Sequence, residues 1–326
     1  MPHHILLSGG VGSRLWPLSK PECPKQYVSI FGDKSLFQLT ALRNQSLTDG
    51  VVVVGNINTT ELSRKHLQEC GIAEFQLISE AIPKNTAAAV AFAALAIDEN
   101  DIMLVTPSDH MIGDEDKYQT AIKRAFELAE EGYLVTFGIT PASPETGYGY
   151  IRANGENVQS FHEKPDANTA EQFVADGNYY WNSGIFCFRA GVFLEELATL
   201  RPDILQAAKA AMDNQHDGQL TEAYSEKIPS ESIDYAVMEK SQKIKMVAGN
   251  FSWSDLGSYQ ALYDYYSMND SSSSFIQGSN LVITEQLQVE SLGLENHAVI
   301  QSDSDLLIIP LNRCQEVKQI FERRIK

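Results

Sequence analysis

Short apolar, β-branched runs recur along the first part of the chain. They are HILLS (4–8), VVVVG (51–55), FQLIS (75–79), IMLVTPS (102–108) and YLVTFG (133–138). Between them lie segments with helical spacing: SLFQLTALRNQSL (35–47), TTELSRKHLQEC (59–70), TAAAVAFAALAI (86–97) and DKYQTAIKRAFELAEE (116–131). Strand and helix in alternation predict a parallel sheet covered by helices. The strands are apolar almost throughout, as expected when both faces are buried. Ligands of such sheets bind beyond the carboxyl ends of the strands. The glycine turn after HILLS and the PSDH that follows IMLVT therefore stand where chemistry is expected.

After about residue 145 the alternation loosens. GYGYIRA (147–153), NVQSFHEKP (157–165) and YWNSGIFCFRA (180–190) read as strands, NTAEQFVADG (168–177) as a helix, and further helical stretches run to about residue 240. The polar run MNDSSSS (268–274) predicts a boundary. Beyond it NLVITE, LQVES, HAVIQS and LLIIPL read as short strands and CQEVKQIFERRIK as a final helix. The expected organisation is a large α/β domain over 1–268 and a small β-rich domain over 275–326 that ends in a helix.

The composition narrows the classes. The chain of 326 residues is 43% hydrophobic and 21% charged, with a net charge of −18. So acidic a chain is a poor partner for nucleic acid or an anionic membrane. Any anion it binds must meet local cationic loops and a metal. The four cysteines, Cys23, Cys70, Cys187 and Cys314, form no CxxC. That argues against a zinc site or a disulfide framework and fits a reducing, cytoplasmic setting. The sequence shows neither a leader-like segment nor an apolar run of membrane-spanning length.

The stretch SGGVGSRLWPLSKPECPKQ (8–26) is neither a Walker loop nor a dinucleotide fingerprint. Its glycines, Gly9, Gly10 and Gly12, would still let backbone N–H groups approach a phosphate. Arg14 adds a planar donor fork suited to phosphate oxygens and Lys25 a compact second cation. The alternative is a tight βα turn with surface cations. Asp109 ends a buried strand and Asp255 sits in SWSDLGS. Either alone reads equally as a cap or an Asx turn, whereas together they could hold Mg²⁺ with phosphate oxygens and water. Glu80 stands at a strand end. Asn85 and Thr86 open an alanine-rich helix that reads equally as tightly packed core. Gly147 and Gly149 flank Tyr148, and Glu163, Lys164 and Asn182 lie near strands. His110 reads as a neighbour that shapes the Asp109 loop.

The ordered set SGGVGSRLWPLSKPECPKQ, EAIPKNTAAA, TPSDHMI, TGYGYI, FHEKP, NSGIF and SWSDLGS resembles the nucleotide-sugar pyrophosphorylases. More narrowly it resembles the mannose-1-phosphate guanylyltransferases, or GDP-mannose pyrophosphorylases, and it covers most of the chain. The resemblance implies a Rossmann-like nucleotidyltransferase fold, a three-layer α/β/α sandwich on a mixed, mostly parallel sheet. It also implies a C-terminal piece like a short left-handed β-helix, often used in dimerisation, hence a homodimer. It assigns Gly9, Gly10, Gly12, Ser13 and Arg14 to the nucleotide phosphates and Lys25 to the reacting phosphates. Asp109 and Asp255 would ligate Mg²⁺. Glu80, Asn85, Thr86 and Ser108 would serve the nucleotide, and Gly149, Glu163, Lys164 and Asn182 the sugar phosphate.

The implied substrates are GTP and mannose 1-phosphate, giving GDP-mannose and pyrophosphate. Lys84 and Ala88 stand where the family has Arg and Pro. They keep open another sugar, such as a heptose 1-phosphate, or another nucleotide. A non-catalytic nucleotide-sugar sensor is a further alternative, which degenerate metal or phosphate residues would favour. The chain ends where many bacterial relatives continue into a phosphomannose isomerase domain, so no isomerase activity is expected.

Overall fold

The structure, a computed structural model, describes residues 1–269 and 274–325. In chain order its strands are β1 (Pro2–Ser8), β2 (Gly50–Asn56), β3 (Gln76–Glu80), β4 (Ile102–Pro107), β5 (Met111–Ile112), β6 (Leu134–Ile139), β7 (Tyr150–Asn154), β8 (Asn157–His162), β9 (Tyr179–Arg189), β10 (Ile244–Gly249), β11 (Trp253–Ser254), β12 (Ile276–Gln277), β13 (Asn280–Ile283), β14 (His297–Ser302) and β15 (Asp305–Pro310). The chain forms two compact units.

The first unit comprises Met1–Gly9, Thr40–Ser108 and Ile112–Trp253. Its nine-stranded sheet has the order β3-β2-β1-β4-β9-β6-β10-β8-β7. All of these strands run one way except β8 and β9, so the sheet is mixed and mostly parallel. Ile5 of β1 lies between Val52 of β2 and Val105 of β4. Along β4, Met103 and Val105 join one apolar cluster, with the helix Asn85–Leu95, while Ile102 and Leu104 join another, with the helix Glu115–Glu130. This period of two sends alternate side chains to opposite helix layers, which is the three-layer architecture expected. The alanines of Asn85–Leu95 are nearly all fully buried, so that helix is tightly packed core.

A polar group sits within this core. The buried His4 Nε2 lies 2.8 Å from Thr106 Oγ1 and 3.2 Å from Asn44 Nδ2, and the Tyr118 hydroxyl donates to Asn44 Oδ1 at 2.9 Å. Burial, reinforced by Arg43, pushes the His4 pKa from 6.5 down to about 3. The folded state refuses a proton that the unfolded chain accepts below pH 6.5. Stability is therefore complete above that pH and falls as pH drops toward 3. One proton changes the unfolding free energy by about 1.4 kcal/mol per pH unit, or roughly 3 kcal/mol by pH 4.5. Urea unfolding at stepped pH should show this loss, and His4→Gln should flatten it between pH 6.5 and 4.5. An unchanged slope in the variant would place the acid sensitivity elsewhere.

The second unit comprises Gly10–Leu39, Asp109–Met111 and Ser254–Lys326. Its core gathers Leu15 and Trp16 from the loop after β1, and Tyr259, Leu262 and Tyr266 from the helix Tyr259–Asn269. Ile283, Ile300 and Ile309 complete it from the four-stranded sheet β12-β13-β14-β15. In that sheet β13 and β14 are parallel and the outer pairs antiparallel. The expected division at 268/275 falls largely on MNDSSSS, whose residues 270–273 lie outside the described residues. The compact units are drawn differently, because the C-terminal strands share one apolar core with residues 10–39.

One sequence reading is corrected. LQVES (287–291) is not a strand. Its apolar alternation has no sheet face to bury, and Leu287 is half exposed. The final helix begins at Val317, after a 3₁₀ segment Leu311–Glu316.

Candidate active site

Two segments leave the carboxyl ends of the adjacent strands β1 and β4, as the pattern predicted. In the second unit the first of them folds around Gly12, whose backbone is left-handed (φ 74°, ψ 40°). The Gly12 carbonyl accepts from Leu15 N–H at 2.9 Å and from the Ser19 hydroxyl at 2.5 Å. Ser13 starts the short 3₁₀ helix Ser13–Leu15. Gln26 donates to the Gly10 carbonyl at 3.0 Å, and Lys25 N–H donates to the Val11 carbonyl at 3.2 Å. The second half of the loop is thereby tied back onto its glycines.

These ties bury Lys25, which is 4% exposed. Its ammonium donates to Asp109 Oδ2 at 2.9 Å and to the Asp255 carbonyl. A buried ammonium needs such partners. Burial opposes ionisation of Asp109, but Lys25 and His110 outweigh it and hold the carboxyl below its ordinary range. His110 Nε2 is 3.7 Å from Asp109 Oδ1, which suits a neighbour that shapes the loop. Asp255 Oδ1 accepts from Gly257 N–H at 3.0 Å, the Asx-turn geometry. Lys25 therefore meets the carboxylate of Asp109 and the main-chain carbonyl of Asp255, whose own carboxylate is engaged in the turn. Arg14 reaches elsewhere, donating to Gln315 Oε1 at 3.0 Å.

In the first unit Glu80, at the end of β3, is 4% exposed. Burial pushes its pKa up to about 7, with Lys84 N–H, 3.4 Å from Oε1, pulling it back. A Cβ on Gly9 would lie 3.8 Å from Glu80 Oε2. Asn85 adopts a positive φ of 69° and caps Thr86 N–H at 2.8 Å. The Thr86 and Ser108 hydroxyls are engaged with backbone: Thr86 Oγ1 accepts from Ile233 N–H at 2.9 Å, and Ser108 Oγ donates to the Leu7 carbonyl at 2.9 Å.

A second cluster of the first unit joins Gly149, Glu163, Lys164 and Asn182. A Cβ on Gly149 would lie 2.5 Å from Glu163 Oε2, so any larger residue there would push the Glu163 carboxylate aside. Asn182 N–H donates to the Gly149 carbonyl at 2.8 Å. Lys164 Nζ pairs with Glu163 Oε1 at 2.8 Å. The Asn182 amide accepts from Thr136 Oγ1 at 3.0 Å and donates to Asp234 Oδ1 at 2.9 Å. Tyr148 stands edge-on to Trp181 and Trp253, each 5.2 Å away. Asp234 was missed by sequence reasoning. Burial pushes its carboxyl up to about 6, and the nearby Glu163 charge adds to the rise. Its signal was a lone acid inside the apolar run SIDYAVM, which reads as helix.

Residues 3–271 match the family model described as nucleotidyl transferase. The chain belongs to this family. Xanthan biosynthesis protein XanB of Xanthomonas campestris pv. campestris (strain B100) is 39% identical over 98% of this chain and 72% of that protein. Mannose-1-phosphate guanylyltransferase of Escherichia coli (strain K12) is 38% identical over 98% and 72%. Among solved structures, that of a mannose-1-phosphate geranyltransferase from Thermus thermophilus is similar with a TM-score of 0.85 and 27% identity, covering 100% of this chain and 99% of that one. In this nucleotidyl transferase Lys25 thus meets the Asp109 carboxylate and the Asp255 backbone, and Gly149 lies beside Glu163, Lys164 and Asn182.

Proposed function

We propose that the chain transfers GMP from GTP to α-D-mannose 1-phosphate, giving GDP-mannose and pyrophosphate. The observation that carries this reading is the 38% identity to the E. coli guanylyltransferase across 98% of the chain. The geometry supplies means for it. A sugar phosphate oxygen attacks the α-phosphorus of GTP and pyrophosphate leaves in line. The nucleophile is already an anion, so no general base is called for. The barrier is the approach of like charges and the charge gathered on the leaving group, which fixed cations lower.

Lys25, buried and aimed by Asp109 and the Asp255 carbonyl, presents such a charge. Gly9, Gly10, Gly12, Ser13 and Arg14 take the nucleotide phosphates, and Glu80, Asn85, Thr86 and Ser108 serve the base and ribose side. Gly149, Glu163, Lys164 and Asn182 take the sugar phosphate. No three His, Cys, Asp or Glu side chains form a metal cage among the described residues. Asp109 and Asp255 offer two carboxylates, which fits Mg²⁺, an ion bound by one or two carboxylates together with phosphate oxygens and water. Bound there, Mg²⁺ would neutralise phosphate charge. A homodimer in the cytoplasm completes the reading. No helix of the described residues is long and apolar enough to cross a membrane.

Pyrophosphate release with Mg²⁺ and mannose 1-phosphate, with GTP, ATP, UTP, CTP and dTTP offered in parallel, tests the reading. Release with GTP alone is expected. Release with another nucleotide would overturn the base choice and direct attention to Lys84, whose Nζ donates to the Glu226 carbonyl at 3.2 Å. Silence with all five would overturn the sugar assignment.

A further inference from the structure

The C-terminal segment is tied to the glycine loop at four points within the second unit. Lys20 Nζ pairs with Asp303 Oδ2 at 2.5 Å. The Tyr259 hydroxyl donates to the carbonyls of Leu15 and Trp16 at 2.8 and 2.9 Å. The Arg324 guanidinium lies over the Trp16 ring, 5.2 Å from its centre. The fourth tie is the 3.0 Å bond from Arg14 Nη1 to Gln315 Oε1, made where the helix Val317–Ile325 packs on Ser13–Leu15. The first three ties hold residues that follow Arg14, at Leu15, Trp16 and Lys20, and the fourth holds its charged end.

We infer that Gln315 is a positioning residue, which orients the Arg14 guanidinium for the nucleotide phosphates. The C-terminal segment is then a working part of the nucleotide loop. This rests on the proposed role of Arg14 in binding nucleotide. The chemistry of residue 315 suits the task. A neutral carboxamide fixes one edge of a guanidinium without cancelling its charge, and the remaining N–H donors stay available for phosphate oxygens. A carboxylate in its place would compete with phosphate as an anion. The adjacent carboxylate, Glu316, is paired with Arg313 at 2.7 and 2.6 Å, so it is turned to a different arginine.

The test is a double-mutant cycle in the full-length enzyme. Gln315→Met removes the acceptor at equal length, and Gln315→Glu adds the competing charge. Each is expected to raise KM for GTP roughly 10-fold, the scale of a hydrogen bond to a charged group. KM for mannose 1-phosphate and the melting temperature should stay near wild type. In an Arg14→Met background neither change should add to the defect, a result a merely structural residue would not give. Wild-type KM for GTP in both variants, a lowered KM, or a full additional effect without Arg14 would each overturn the inference. Inactivity of the wild-type enzyme with every nucleotide would instead count against the proposed function.

Discussion

Asp109→Asn should lower kcat by about 10³-fold or more while the protein still folds. Losing charge stabilisation worth several kcal/mol at a reacting phosphate produces an effect of that size. Asparagine keeps the shape but brings no charge to a metal, and it leaves the buried Lys25 ammonium facing neutral oxygens in place of a carboxylate. Two losses are therefore mixed, and a metal titration separates them. If Asp109 is a metal ligand, the Mg²⁺ concentration giving half-maximal rate should rise sharply in Asp109→Asn. Lys25→Met should also cut kcat, yet leave the metal dependence near wild type. A circular-dichroism melt checks that both variants fold. Near-normal turnover in Asp109→Asn would remove the metal assignment, and an unchanged Mg²⁺ midpoint beside a low kcat would reduce Asp109 to the partner of Lys25.

The sequence made this centre legible because its parts are short-range signals at strand ends. The glycine turn follows HILLS and Asp109 follows IMLVTPS, both at the carboxyl edge of β strands whose apolar runs are unmistakable. What stayed hidden is long-range. Nothing local in YWNSGIFCFRA tells that β9 enters antiparallel between β4 and β6, because strand partners are chosen by the whole sheet. Residues 10–39 share an apolar core with 254–326, and no periodicity in either segment announces the other. LQVES misled because alternation marks a strand only where there is a face to bury. Asp234 and Gln315 escaped for different reasons: the lone acid in SIDYAVM gains meaning only from its bond with Asn182, and Gln315 is one polar residue among many in CQEVKQIFERRIK until its bond with Arg14 is seen.

Gly12→Ala should be the most damaging small substitution in the loop. At φ 74° an alanine enters the left-handed region, at a cost of about 1 kcal/mol or more. The added Cβ would also collide with Lys25 Cβ. That atom is the root of the side chain, so no rotamer change relieves the overlap and the backbone near Lys25 must shift. The bond from Lys25 N–H to the Val11 carbonyl resists that shift. Destabilisation of roughly 2 kcal/mol is expected, together with a fall in kcat/KM of at least about 10²-fold, since displacing a charge-positioning group by ~1 Å has that effect. Gly10→Ala supplies the contrast, because a Cβ there meets nothing within 4 Å and the residue does not have a positive φ. Its melting temperature should match wild type, so any loss of GTP affinity would report a phosphate that needs the bare backbone. If Gly12→Ala kept both its melting temperature and its turnover, the ammonium of Lys25 would not depend on the loop that buries it, and Gly12 would lose its role in placing that charge.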